Sequence, residues 1–122
     1  MAHEASIEIS YPGAAASCNH YTGRHGTRTF VTDDACHFMD AIGWSLKSYH
    51  IEDWTPPLTV IVGGRFRNLR SCPDVHNLLK TVCDAIEAIT SFNDRDFKTK
   101  TELPTFDRDR EPVVKITVKE SI

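Results

Sequence analysis

The 122-residue sequence predicts an α/β fold of the α+β type, a mixed sheet of about five strands with two helices packed on it. Three observations carry this. Residues 33–48 and 73–89 repeat apolar side chains at helical spacing, residues 58–62 form a short and nearly continuous apolar run, and residues 6–11 and 113–118 alternate polar with apolar. The element order is then β-β-α-β-α-β-β, in a single domain over 1–122.

In the first strand Ser6, Glu8 and Ser10 alternate with Ile7, Ile9 and Tyr11, and Pro12-Gly13 stops it. A loop of small residues over 14–26 leads to a second short strand over 27–32, rich in β-branched residues. Along 33–48 Ala35, Phe38, Met39, Ile42 and Leu46 share one helix face, and Thr32 or Asp33 can cap its start. Pro56-Pro57 ends the connection to the third strand. Leu58, Val60, Ile61 and Val62 are the pattern of a central strand covered on both faces. Gly63-Gly64 is expected to loosen the chain after it. The helix over 73–89 has proline in its first turn, and Val75, Leu78, Leu79, Val82, Ala85, Ile86 and Ile89 fall within an arc of about 120°. Strands over 97–103 and 113–118 follow, joined by a charged loop over 104–112 that is expected to be mobile.

A chain of this length has a limited core, so pairing with a second copy would bury more surface. No apolar run approaches the roughly 20 residues that span a bilayer, and residues 1–10 lack the regions of a signal peptide. The expectation is a cytoplasmic protein without a membrane partner. Cys18, Cys36, Cys72 and Cys83 contain no C-x-x-C pair, and Cys18-x-His20 and Cys72-x-x-x-His76 are poor zinc patterns, so free thiols are expected. The net charge of −3 does not advertise a nucleic-acid binder, but its distribution is uneven. Arg24, His25 and Arg28 form one basic island and Arg65, Arg67 and Arg70 another, while acids gather over 94–111.

The helix over 73–89 carries the chemistry. Opposite its apolar arc lie His76, Asn77, Lys80 and Asp84, with His76–Lys80 and Lys80–Asp84 both at i, i+4, and Asp74 at the helix start. Taken singly, these residues read as a solvated face and an N-cap. Taken with the three arginines before the helix and Asn93-Asp94-Arg95-Asp96 after it, they favour a functional edge over a merely solvated one.

The residues 74–84, Asp-Val-His-Asn-Leu-Leu-Lys-Thr-Val-Cys-Asp, followed by Asn93-Asp94, resemble the signature of the RusA family of Holliday junction resolvases, D-x-D-N-L-x-K-x-x-x-D and then a paired D-D. Tyr11-Pro12 and Ser17-Cys18-Asn19-His20-Tyr21 are similar to the family's opening after its first strand, as are residues 26–32 leading into a helix, so the resemblance spans nearly the whole chain. It implies a metal-dependent endodeoxyribonuclease that cuts four-way branched DNA in recombination and repair, acting as a homodimer and needing no nucleotide cofactor. Asp74 and Asp94 carry over as catalytic, metal-binding carboxylates and Lys80 as the essential basic residue, and these three with His76 are expected to converge within reach of one ion. Asn77 and Asp84 carry over as supporting residues, and Asn19, Arg24, Arg65, Arg67 and Arg70 as DNA contacts. Magnesium suits such an oxygen-rich site.

The chain departs from the signature twice: His76 stands where the second aspartate belongs, and Asn93 where the first of the later pair belongs. A histidine ligand favours manganese over magnesium. Asp96 competes with Asp94 for the second carboxylate, because the turn aligns only with a one-residue gap. The alternative function is a non-catalytic protein of the same fold that binds branched DNA with a degraded metal site.

Overall fold

Alternation along the strands decides which face of the sheet the helices cover. The computed structural model describes residues 3–13, 22–25, 28–31 and 33–120. Along them run β1 (Glu4–Ser10), β2 (Thr22–His25), β3 (Arg28–Val31), α1 (Asp33–Leu46), β4 (Leu58–Phe66), α2 (Val75–Ile89), β5 (Phe97–Thr101), β6 (Thr105–Phe106) and β7 (Val113–Glu120). Short 3-10 turns occupy Lys47–Tyr49, Ile51–Asp53 and Asp94–Asp96.

The main sheet has the order β1-β7-β4-β5, with β6 also pairing to β4. β7 is antiparallel to both β1 and β4, whereas β5 and β6 run parallel to β4. A parallel neighbour requires a crossover, and α2 supplies it between β4 and β5. Val60 and Val62 of β4 and Val114, Ile116 and Val118 of β7 turn one way and are fully buried. They share one core with Phe38, Ile42 and Leu46 of α1 and Leu78, Val82, Ala85 and Ile86 of α2. The expected mixed sheet carrying two helices is therefore what this sequence forms. No helix among the described residues is long and apolar enough to cross a membrane.

Four details differ from the sequence reading. The first strand begins at Glu4 and ends at Ser10, and β2 occupies part of the expected loop over 14–26. Among the described residues β2 and β3 pair only with each other, as a second, two-stranded sheet. Gly63-Gly64 does not loosen the chain, because β4 continues through both to Phe66. A Cβ at Gly64 would lie 2.7 Å from the Val113 carbonyl oxygen and 2.7 Å from the Phe66 ring, so the glycine admits a close approach inside the sheet. The loop over 104–112 is tied down by β6, by Asp107 N–H donating to the Phe66 carbonyl (2.8 Å) and by contacts to Glu111 described below. Thr32 lies outside the described residues. Cys36, Cys72 and Cys83 are free thiols, as expected, and Cys18 lies outside the described residues.

Glu120 closes the sheet at one corner. Its buried carboxylate accepts from His3 N–H (2.8 Å), from His3 Nδ1 (2.7 Å) and from Thr55 N–H (2.7 Å), and the His3 ring stacks on Trp54. The backbone donors of His3 and Thr55, followed by the His3 ring, hold its pKa down to about 2, against an ordinary value of 4.5. A depressed carboxylate pKa stabilises the fold above the unfolded value, and that contribution is lost as pH falls from about 4.5 towards 2. Glu120→Gln should therefore lower the melting temperature at pH 7. The gap to wild type should narrow strongly in melts at pH 2.5, as pH nears the folded pKa; a gap independent of pH would mean that the charge is not what holds this corner.

Candidate active site

Helix α2 begins where its sequence offers a cap. Asp74 is extended, and its Oδ1 accepts from His76 N–H at 3.0 Å, satisfying one of the free N–H groups of the first turn. Asp74 and His76 are exposed and Asn77 is half-buried. The second arginine island lies at this end of the sheet. Arg65 Nη2 donates to the Glu111 carbonyl (2.9 Å) and Arg67 Nη2 to the Glu111 carboxylate (3.0 Å), while Arg70 is exposed in the turn that leads to α2. Arg65 Nε is buried without a partner among the described residues.

Predicted Lys80 and Asp84 lie further along the helix, joined by Glu87. Lys80, Asp84 and Glu87 lie at i, i+4 and i+7, on one edge of α2. The 3-10 turn that follows presents Asp94 to this edge, where its carboxylate meets the Glu87 side chain within hydrogen-bonding reach. That contact, ahead of burial and the charges of Asp94 and Asp84, raises the Glu87 pKa, and Lys80 opposes the rise. Burial, then Asp84, Asp94 and Glu87, push the Cys83 thiol up to about 12, which makes it inert as a nucleophile at neutral pH. The turn itself is fixed by Asn93, whose side chain accepts from Arg95 N–H (3.3 Å) while its N–H donates to Asp96 Oδ2 (3.0 Å). Asp96 is thus occupied as half of a capping box, and Asp94 is the carboxylate turned to α2.

Contrary to the expected convergence, Asp74 and Asp94 sit at opposite ends of α2 within one chain, because β5 runs parallel to β4 and returns Asp94 to the end of the helix. From Asp74 to Glu87, which Asp94 touches, the helix rises about 19 Å. The sheet says the same: β5 starts level with Leu58 at the beginning of β4, and α2 is entered from the far end of β4. Among the described residues, the one group of three ligating side chains close enough to share an ion is His50, Glu52 and Asp53, within 4.8 Å of one another and all exposed. This trio lies between α1 and β4, and spacing had not singled it out because a 3-10 turn has no long sequence signature. Two of its members border a concavity of about 610 Å³ between α1 and α2, beside the exposed Trp44. Glu87 was also missed, since it reads as an ordinary helix-surface acid until Asp94 is folded against it. Arg24 lies in β2, and Asn19 lies outside the described residues.

Carboxylates and a lysine along one accessible helix edge could hold a divalent cation and offset charge on a phosphate ester. The chain belongs to the endodeoxyribonuclease RusA family, whose model matches residues 12–119. No curated protein matches it.

Proposed function

We propose that the protein is a metal-dependent endonuclease that resolves four-way DNA junctions in recombination and repair, and that each of its sites is assembled between two copies. The single observation that carries the second part is the position of Asp74 and Asp94 at opposite ends of α2. A two-fold axis crossing the middle of α2 sets the start of one helix beside the end of the other. Asp74 and His76 of one copy then face Asp94 and Glu87 of its partner. The resulting donor set is rich in oxygen, which fits a divalent cation. Bound there, the ion would activate water and offset charge on the phosphate.

The chain's own residues supply the rest. The N-cap bond to His76 N–H fixes the Asp74 side chain, so one oxygen is held while the other stays available. Lys80, set among Asp84, Glu87 and Asp94, is placed to offset negative charge developing on the reacting phosphate. Asp84 and Asn77 support that edge, and Asp96 holds the turn that presents Asp94. Arg65, Arg67 and Arg70 approach the DNA from the Asp74 end. Two sites on one dimer match the paired nicks that resolve a junction.

The test is cleavage of a labelled four-way junction beside a plain duplex, in EDTA, magnesium and manganese. Junction-selective cleavage only with metal supports the reading; binding without cleavage in any metal would favour a junction-binding protein. His76→Asp refines the result. Returning an oxygen ligand should raise the magnesium rate towards the manganese rate, and an unchanged ratio would remove His76 from the ligand set.

A further inference from the structure

The face of the main sheet turned away from α1 and α2 carries a charge pattern that runs against the chain's net −3. Because Val60, Val62, Ile116 and Val118 point into the core, their neighbours in sequence point outward. Strand register sorts these neighbours into rows. Glu4, Lys119, Thr59 and Lys98 form one row, and Ser6, Thr117, Ile61 and Lys100 the next. Glu8, Lys115 and Gly63 form the third, with the Glu102 side chain against Gly63, and Arg65 opposite Val113 continues the face. Five cations therefore meet three carboxylates, Glu4, Glu8 and Glu102, on a face where Lys98, Lys100 and Lys115 are exposed. Lys98 and Lys100 lie on β5, an edge strand that begins directly after the turn bearing Asp94.

We propose that this sheet face is a second DNA contact, in which Lys98, Lys100, Lys115 and Lys119 bind the phosphate backbone of a junction arm leaving the Asp94 end of the site. It rests on the junction-nuclease reading and extends it to residues outside the helix motif. Lysines two apart on a strand lie about 7 Å from each other, and neighbouring strands about 4.8 Å apart. The array thus presents spaced point charges to a polyanion, without the base-edge donors that would read sequence. The exposed Ser6 and the half-buried Thr117 add neutral polar groups between them. The concavity between the helices, by contrast, sets Lys47 and His50 against Asp40 and Glu52 and presents no comparable excess of cations.

Fluorescence anisotropy of a labelled junction in EDTA, at several salt concentrations, tests this. The variants are Lys98→Gln, Lys100→Gln and Lys115→Gln, singly and combined, beside Lys47→Gln on the helix side with the same charge change. Each face substitution should weaken binding about threefold or more and reduce the slope of log affinity against log salt by about 0.9. Lys47→Gln should do neither. If wild type binds the junction and the face variants behave like Lys47→Gln, the second contact is overturned while the nuclease reading stands. If wild type binds no junction, the reading beneath it fails, and this inference with it. A changed oligomeric mass with unchanged binding would assign the face to a second copy and overturn the proposal too.

Discussion

Asp74→Asn is expected to lower metal-dependent junction cleavage at least a hundredfold while leaving the melting temperature nearly unchanged. The two readings of Asp74 separate at this substitution. Asparagine caps a helix about as well as aspartate, so the bond to His76 N–H survives in kind. What asparagine lacks is the negative charge that a divalent cation needs. A hundredfold loss corresponds to about 2.7 kcal/mol of transition-state stabilisation, the usual scale for removing one electrostatic contact. Asp94→Asn should do the same for a different structural reason, since Asp94 sits on a turn capped by Asn93 and Asp96 and contributes nothing to that cap itself. Full activity in Asp74→Asn, measured as junction cleavage at saturating magnesium, would leave Asp74 as a helix cap and no more.

Gly64→Ala is expected to destabilise the fold by about 3 kcal/mol, the upper range for forcing an atom into a packed interior. The added methyl would meet the backbone oxygen of Val113 and the ring of Phe66, both at 2.7 Å. Neither is the end of a flexible side chain: the oxygen belongs to a sheet strand, and Phe66 is fully buried and packs edge-on against Tyr11. The melting temperature should fall by roughly 10 °C. Gly63→Ala, whose methyl meets only the Glu102 side chain, should cost distinctly less. Equal melting curves for the two variants would show that β4 and β7 separate here more easily than their register implies.

The contrast at these two glycines shows where sequence reasoning reaches its limit. Helical periodicity located α1 and α2 within about two residues, because a 3.6-residue repeat sustained over 33–48 and over 73–89 leaves little room for another element. The same reasoning misread Gly63-Gly64 as a loosening of the chain, since the need for glycine arises from a partner strand some fifty residues away. β6 escaped notice because two residues have no period; only Phe66 and Arg65 across the ladder define it. For the site, the helix motif set Lys80 and Asp84 on one helix edge with Asp74 at its start, and in the structure both lie within α2 with Asp74 as its N-cap. The separation of Asp74 from Asp94 was not legible, because it depends on β5 running parallel to β4 and thereby returning Asp94 to the far end of α2. Glu87 becomes visible only through that same topology.

Mixing the two inactive variants tests the central claim most directly. Asp74→Asn and Asp94→Asn protomers, combined and allowed to exchange, form mixed dimers. If each site draws Asp74 from one copy and Asp94 from the other, a mixed dimer contains one site with both substitutions and one with neither. The mixture should then nick one strand of a four-way junction at a clear fraction of the wild-type rate without making the paired cut, although neither variant alone cleaves. If both carboxylates of a site came from the same chain, every site in the mixture would carry a substitution. In that case the mixture would stay as inactive as its components, and assembly of the site between two copies would be contradicted.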